Sequence, residues 1–183
     1  MSTAIRPAKI PDIAAITRIY AHAVKTGTAS FELEPPAEAE MRRRMQALID
    51  GKFPYFVAEI GGAVAGYAYA SLYRTRPAYR FTLEDSVYVA AEAHRRGIGK
   101  ALLEKLIEAA TGLGYRQMVA VIGDSEQAAS IGVHRSCGFA PAGNLKTIGW
   151  KFGRWLDTPF MQRALGDGAT TSPTVMPAKA GIQ

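Results

Sequence analysis

The stretch DSVYVAAEAHRRGIGKALLEKL, residues 85–106, constrains the fold more than any other part of the chain. It runs from an apolar strand pattern through a basic turn with two glycines into an amphipathic helix pattern. Glycines permit close backbone approach, and the first N–H groups of a helix lack internal partners at the positive end of the helix dipole. A pyrophosphate-bearing ligand is therefore predicted to bind at six residues, Arg95, Arg96, Gly97, Ile98, Gly99 and Lys100.

Two common phosphate-binding motifs do not match this turn. A Walker A loop has four residues between its first glycine and its Gly-Lys pair, followed by Ser or Thr, where this chain has Ala101. A dinucleotide-binding fingerprint needs a third glycine where Leu102 stands, and a strand that ends closer to the first glycine. Two alternatives remain: another phosphate-bearing cofactor, or a solvated basic helix start that binds nothing.

Composition narrows the class of protein. Hydrophobic residues make up 48% of the 183 residues and charged residues 21%, as in a soluble single-domain protein. No apolar run approaches the roughly 20 residues of a membrane span, and the first residues lack the apolar segment of a signal peptide, so we expect a cytoplasmic protein without membrane contact. A single cysteine excludes an internal disulfide, and three scattered histidines predict no metal site. The net charge of +6 suits an anionic cofactor, but no aromatic-interleaved basic stripe points to nucleic acid.

Hydrophobic periodicity predicts the order β-α-α-β-β-β-α-β-α-β-β. The predicted strands cover residues 4–7, 55–60, 64–72, 81–89, 117–122, 139–148 and 158–165. The predicted helices start at residues 11–12, 37, 98 and 126. This order indicates a mixed α/β sheet rather than an alternating βαβ fold. Residues 166–183 are small, polar and rich in Pro and Gly, so we expect a domain over residues 1–165 and a disordered tail.

Four segments of the chain resemble the phosphinothricin and methionine sulfoximine/sulfone acetyltransferase branch of the GNAT N-acetyltransferase superfamily. They are TLEDSVYV, HRRGIGKALLEKLIE, MVAVIGDSEQAASIGVHRSCGF and GWKFGRWLDTPFMQR, and the resemblance extends over residues 4–165. It implies the GNAT fold, a mostly antiparallel mixed sheet with one splayed parallel pair and about four flanking helices. It also implies acetyl-CoA as the donor, a small amino-acid-like amine as the acceptor, no metal, and a homodimer.

The resemblance also assigns the cofactor contacts. The backbone of Val87, Tyr88 and Val89 would meet the pantetheine arm, because splayed strands leave backbone groups that need partners. The basic turn would hold the pyrophosphate, and Gln127 and Ser130 would contact the cofactor from the next helix. The chain departs from the family pattern in having His94 where Gln or Arg is usual, and Gln127 where Asn is common.

Acetyl transfer to an amine needs a neutral nucleophile and a proton for the departing thiolate. Family members carry Glu at the position of Glu84, the candidate base. Strand alternation puts Glu84 and Asp85 on opposite faces. Asp85 either competes for the role of base or raises the pKa of Glu84 by like-charge repulsion. The simpler alternative is a solvent-facing strand glutamate.

His134 is the candidate acid, because it occupies the position where many GNAT enzymes place a tyrosine near the cofactor sulfur. Its ordinary pKa of about 6.5 suits proton donation. A hydrogen-bonded packing histidine is the alternative. Cys137, which lies before Gly138 at a predicted helix end, is expected to be a core residue rather than a nucleophile.

The acceptor is expected to contact basic side chains in the segment before the predicted strand that carries Glu84. A guanidinium can pair with the acceptor's carboxylate or phosphinate through two parallel hydrogen bonds. The alternative is a plain basic surface loop. Trp150 and Trp155 are expected to pack or to contact a second subunit. The candidate acceptor residues are Phe31, Arg74, Thr75, Arg76, Arg80, Glu84, Asp85 and Ser86.

Three other functions stay open on the sequence. Acetylation of protein N-termini uses the same chemistry on another acceptor. Aminoglycosides are polycations that want acidic pockets, so the arginine cluster argues against them. A catalytically silent acyl-CoA sensor would need neither Glu84 nor His134.

Overall fold

The computed structural model of the chain describes residues 3–173. Within this part, seven strands form a single sheet and four α-helices pack on it. The strands are β1 (Thr3–Pro7), β2 (Tyr55–Ile60), β3 (Ala63–Leu72), β4 (Thr82–Val89), β5 (Gln117–Val121), β6 (Ala140–Lys151) and β7 (Arg154–Ala164). The helices are α1 (Ile13–Thr26), α2 (Glu38–Asp50), α3 (Ile98–Gly112) and α4 (Ala128–Ser136). In this same part of the chain, no helix combines the length and apolar character needed to cross a membrane.

The strands are arranged in the order β1-β2-β3-β4-β5-β7-β6, and every neighbouring pair is antiparallel except β4 and β5. This confirms the predicted mixed, mostly antiparallel sheet with one parallel pair and about four helices. Parallel neighbours need a crossover connection, which α3 supplies between β4 and β5.

Helices cover both faces of the central strands. On one face, α3 packs closely over Gly66 of β3: a Cβ built there would lie 3.0 Å from the Tyr88 carbonyl oxygen and 3.2 Å from side-chain atoms of Ile98 and Leu102. On the other face, the ring of Tyr88 in β4 packs edge-on against Tyr20 of α1 at 5.1 Å. Because side chains alternate across a strand, even-numbered residues of β4 face α1 and odd-numbered residues face α3.

The last two strands differ from their predicted bounds. Residues 149–157 were expected to connect them, but β6 runs to Lys151, β7 begins at Arg154, and Phe152 and Gly153 alone form the turn. Both turn residues have positive φ angles, 52° and 72°, which match the right-handed twist of a tight hairpin. The segment KFGRWLD is therefore the tip of a long hairpin.

The first part of the predicted tail has hydrogen-bonded structure. The N–H of Gly168 donates to the carbonyl of Leu165 at 2.9 Å. The Arg116 guanidinium donates to the Thr171 hydroxyl at 2.8 Å, which fixes this turn beside the start of β5. Residues 174–183 lie outside the described residues, so the disordered tail stays a prediction there.

Candidate active site

The parallel strands β4 and β5 separate part of the way along their length. Their pairing covers four positions and ends at Asp85 and Ala120, whereas β4 continues to Val89 paired only with β3. We call the opening beyond these two residues the wedge. A cavity of about 250 Å³ lies there. It is lined by Ala29, Tyr69, Glu84, Asp85, Ser86, Val87, Tyr88, Ala120, Val121, Ile122, Gly123, Gln127, Ser130 and His134.

The wedge collects eight of the residues selected from the sequence, namely Glu84, Asp85, Ser86, Val87, Tyr88, Gln127, Ser130 and His134. Six lining residues were missed: Ala29, Tyr69, Ala120, Val121, Ile122 and Gly123. Gly123 was the detectable one, since it directly follows a predicted strand. A Cβ at this position would lie within 1.8 Å of the Thr28 carbonyl, so only glycine admits the chain segment that crosses it.

The basic turn leads directly into α3. Gly97 precedes the first residue of the helix with φ of 77°, a left-handed conformation that favours glycine. Arg95 also has a positive φ, 58°, which is uncommon for arginine and is found at ligand-binding loops. The first helical hydrogen bond joins the N–H of Ala101 to the Gly97 carbonyl, so the N–H groups of residues 98–100 have no acceptor within the helix.

The side chains of the basic turn divide into two sets. Arg95, Arg96 and Lys100 are exposed, whereas the Ile98 side chain is 2% exposed and belongs to the core. Ile98 can therefore offer a ligand only its backbone N–H, and its contact with a pyrophosphate stays a prediction. A Cβ at Gly99 would lie 3.7 Å from Val89 and 3.9 Å from Val133, so Gly99 borders the gap between β4 and α4.

His94 has a definite structural partner. One ring nitrogen lies 3.0 Å from the Val89 carbonyl, which accepts its N–H. Val89 is not among the residues that line the cavity. Of the three backbone positions assigned to the pantetheine arm, Val87 and Tyr88 therefore border the wedge, and the Val89 carbonyl is already bonded.

Glu84 and Asp85 occupy different environments, as strand alternation predicts. Glu84 is partly buried on the α1 side of the wedge. Burial raises its pKa above the ordinary value; the positive charge of Arg74 opposes this shift, and the negative charge of Asp85 adds to it. A carboxyl group with a raised pKa is a stronger base once it is ionised.

Asp85 is bonded to His134 rather than to Glu84. The Nε2 of His134 lies 2.9 Å from Oδ2 of Asp85, and its Nδ1 donates to the Ser130 carbonyl at 2.7 Å. Burial lowers the pKa of His134, but the hydrogen bond and charge of Asp85 outweigh burial and the net pKa is raised. The result is a buried His134–Asp85 pair in which Oδ1 of Asp85 has no hydrogen-bond partner in the described part of the chain.

A wall of the cavity comes from the segment after α1, which we call loop 27–31. Ala29 lines the cavity, and the Thr28 hydroxyl accepts a 2.7 Å hydrogen bond from the Gln127 amide. Gln127, assigned to the cofactor from the sequence, thus also holds this loop. Phe31 was expected to contact the acceptor, but it is not a lining residue. Its ring lies against Gly149 of β6, where a Cβ would come within 2.3 Å of it.

The four polar residues expected to bind the acceptor, Arg74, Thr75, Arg76 and Arg80, are exposed in the β3–β4 connection and do not line the cavity. The guanidinium of Arg74 lies over the Tyr73 ring at 4.5 Å, and that of Arg80 over the Phe81 ring at 4.6 Å. Arg74 is the one arginine of this set whose charge acts on Glu84.

The tip of the β6–β7 hairpin carries exposed aromatic side chains. Trp150 and Trp155 pack edge-to-face at 5.3 Å, and 56% and 59% of their surfaces remain exposed. Leu145, Ile148 and Phe152 are exposed on the same hairpin. An apolar patch of this kind is typical of a protein–protein contact.

Comparisons with known proteins identify the family and the fold. The family model described as the acetyltransferase (GNAT) family matches residues 16–139. Phosphinothricin N-acetyltransferase of Alcaligenes faecalis is 54% identical over 169 residues, 92% of this chain and 86% of that protein. The L-methionine sulfoximine/L-methionine sulfone acetyltransferase of Pseudomonas paraeruginosa is 41% identical over 163 residues, 88% of this chain and 94% of that protein. A crystal structure of a GNAT superfamily phosphinothricin acetyltransferase from Sinorhizobium meliloti in complex with AcCoA superposes with a TM-score of 0.92 at 50% identity, covering 95% of this chain and 94% of that one.

Proposed function

The chain belongs to the acetyltransferase (GNAT) family, and on that premise we propose that it transfers the acetyl group of acetyl-CoA to the primary amine of a small amino acid of the phosphinothricin, methionine sulfoximine or methionine sulfone type. Attack occurs directly, with both substrates bound together. The names of the two relatives above support this acceptor class, and the AcCoA-bound structure supports the donor.

The observation that carries the proposal is the wedge together with the free start of α3. The residues there suit acetyl-CoA. Exposed Arg95, Arg96 and Lys100 surround the unpaired N–H groups of the helix start, where a pyrophosphate is favoured by charge and by hydrogen bonding. The edge of β4 beyond Asp85 has no strand partner on the β5 side, which leaves backbone groups for an amide-bearing arm. When bound, acetyl-CoA supplies a thioester already activated for attack by an amine.

Glu84 is the proposed base. It lines the cavity, burial raises its pKa, and its position on the α1 side faces loop 27–31 rather than α4. Asp85, the competing carboxylate, already accepts a hydrogen bond from His134, and this favours Glu84. A carboxylate at this position removes a proton from the acceptor ammonium, either directly or through one water molecule.

His134 is the proposed proton donor for the departing thiolate. Its raised pKa favours the protonated imidazole that donation requires. Donation requires the Nε2–H to leave Asp85, because both ring nitrogens are bonded within the protein. The alternative role, a fixed ion pair that holds α4 against β4, requires no movement.

The acceptor's acidic end is proposed to meet Arg74, since this guanidinium is close enough to Glu84 to affect its pKa. Arg76 and Arg80 are proposed to steer anions toward the wedge. We also propose a cytoplasmic homodimer that uses the aromatic tip of the β6–β7 hairpin. Light scattering should give twice the 19.7 kDa chain mass, and Trp155→Glu should halve it.

The test is thiol release from acetyl-CoA across phosphinothricin, methionine sulfoximine, methionine sulfone, their carboxamides, peptides and an aminoglycoside. Loss of one charge-assisted contact costs about 1.5–3 kcal/mol, so each amide should react about ten- to a hundredfold more slowly than its free acid. Arg74→Ala should erase this preference by slowing only the acid. Equal rates for acid and amide would reject the amino-acid acceptor and favour peptide N-termini. No release with any amine would favour a silent acyl-CoA sensor.

A further inference from the structure

Lys151, the last residue of β6, is a buried cation. Its surface is 3% exposed, and its ammonium group donates to the carbonyl of Gly27 at 2.9 Å and to that of Ser30 at 2.7 Å. Within residues 3–173 no carboxylate lies within salt-bridge distance of it. Burial lowers its pKa, with a smaller opposing effect from the charge of Glu32.

Burial of a charged ammonium group costs free energy unless hydrogen bonds within the protein replace those it made with water. The two carbonyls that accept from Lys151 belong to Gly27 and Ser30, on either side of residues 28 and 29 in the loop that follows α1. Gly27 ends α1, and a cation is favourable at the negative end of a helix dipole. The Ser30 hydroxyl is bonded to the Tyr20 hydroxyl at 2.9 Å, so the same residue is also held from α1. The ammonium therefore links residues 27 and 30 of the loop to the β6–β7 hairpin.

The tied segment is the one that walls the cavity. Ala29 lies between the two bonded carbonyls and lines the wedge. Next to it, Thr28 is bonded to Gln127 and crosses Gly123 at a distance that no side chain would allow. On the other side, Phe31 rests on Gly149, two residues before Lys151. Without the ammonium, the carbonyls of Gly27 and Ser30 would lack this donor, and the residues on both sides of Ala29 would lose their bonds to β6.

We propose that Lys151 is a positioning residue for the acceptor: it fixes loop 27–31 so that Ala29 completes the acceptor side of the wedge, and it thereby sets the KM for the amine. The inference rests on the proposed acetyl transfer. We expect the effect to fall on the amine rather than on acetyl-CoA, because the residues that would hold the pyrophosphate lie in the basic turn and at the start of α3, outside this loop. The loop joins one candidate cofactor residue, Gln127, through the Thr28 hydroxyl.

The test compares Lys151→Met, which keeps the aliphatic stem, with Lys151→Arg, which restores a cationic donor. The control is Lys146→Met, the same change at an exposed lysine of the same hairpin that pairs with Asp157. Hydrogen exchange of a peptide covering residues 27–31 reports on the loop without any activity. Lys151→Met should speed this exchange at least tenfold and raise the acceptor KM at least tenfold. The dissociation constant for acetyl-CoA should change less than twofold, Lys151→Arg should recover most of both losses, and Lys146→Met should match the wild type.

Three results would overturn the inference. Unchanged exchange in Lys151→Met would show that the ammonium does not hold the loop. Faster exchange with an unchanged acceptor KM would show that the loop does not serve the acceptor. Equal weakening of both substrates would indicate a general structural role. Should Lys151→Met fail to fold, Lys151→Gln keeps a neutral donor and takes its place. If the wild type acetylates no amine of the panel, the proposed function fails, whereas the exchange measurement still tests the loop.

Discussion

Glu84 and Asp85 are adjacent in β4 but lie in different environments, because successive side chains of a strand point to opposite faces of the sheet. Glu84 faces the α1 side and is partly buried, whereas Asp85 faces α4 and is bonded to His134. Strand alternation alone predicted that they would separate. The pairing of Asp85 with His134 could not be predicted, because it joins residues 49 positions apart and depends on how α4 is oriented over β4.

Replacing Glu84 by Gln should lower kcat/KM at pH 7 by about a hundredfold or more, with acetyl-CoA affinity nearly unchanged. The loss should shrink at high pH, where more of the amine is already neutral. Burial raises the pKa of Glu84, so its carboxylate is disfavoured in the folded state at neutral pH. The variant should therefore also melt at a higher temperature at pH 7, and this gain should vanish well below the unfolded pKa of about 4.3, where the carboxyl is protonated in both states.

The matched control for this prediction is Glu92→Gln, an exposed glutamate shortly after the same strand. It should change neither rate nor melting temperature. Wild-type turnover by Glu84→Gln at pH 7 would transfer the role of base to Asp85 or to solvent.

Among the elements, the start of α3 was the most predictable. Gly97 and Gly99 were selected together from the sequence, yet they serve different needs. Gly97 adopts φ of 77°, and nothing lies within 4 Å of a Cβ built there, so its requirement is conformational. Gly99 has an ordinary helical backbone and borders the gap beside Val89, so space for a ligand is the role we propose for it.

Replacing Gly99 by Val should remove the stabilisation by acetyl-CoA while the free protein still folds, because the new Cβ would make only normal contacts at 3.7–3.9 Å. For the wild type, ligand at a hundred times its Kd should stabilise by about 2.7 kcal/mol, which thermal unfolding measures. Gly112→Val makes the same change at the other end of α3, where nothing lies within 4 Å, and should keep the full shift. A full shift in Gly99→Val would mean that the ligand does not approach this turn.

The β6–β7 hairpin was the least predictable element. Strand prediction relies on alternation between a buried and an exposed face, but nearly every residue of β6 is exposed. Bulges after Pro141 and after Leu145 shift the register, and Pro159 lies within β7 opposite Asn144. The sequence predicted an antiparallel pair around KFGRWLD, which is confirmed, but it made both strands too short, and Lys151 was left without a predicted role.

In the molecule as a whole, buried charge is concentrated where the sheet opens. Asp85 and His134 line the cavity, Asp124 follows the lining residue Gly123, and Lys151 holds loop 27–31. Each of these groups makes at least one short polar contact. Buried ion pairs are weak sources of net stability, but removal of one partner is strongly destabilising. The site is therefore where the fold should be most sensitive to pH and to substitution.

His134→Ala should destabilise the protein most strongly at acidic to neutral pH. The pKa of His134 is raised in the folded state, so the stabilisation is complete below the unfolded pKa of about 6.5 and is lost as pH rises through the folded pKa. At pH 6 the variant leaves Asp85 buried without a partner, which should cost about 3–5 kcal/mol in urea unfolding, and the penalty should be smaller at pH 9. His22→Ala, at an exposed position of α1, should stay within about 0.5 kcal/mol of the wild type at both pH values.

A stability penalty for His134→Ala that does not fall as pH rises would mean that His134 contributes packing rather than the ion pair. A stability loss with an unchanged kcat would assign His134 to the ion pair alone, whereas a kcat loss larger than the unfolded fraction explains would support its role as proton donor.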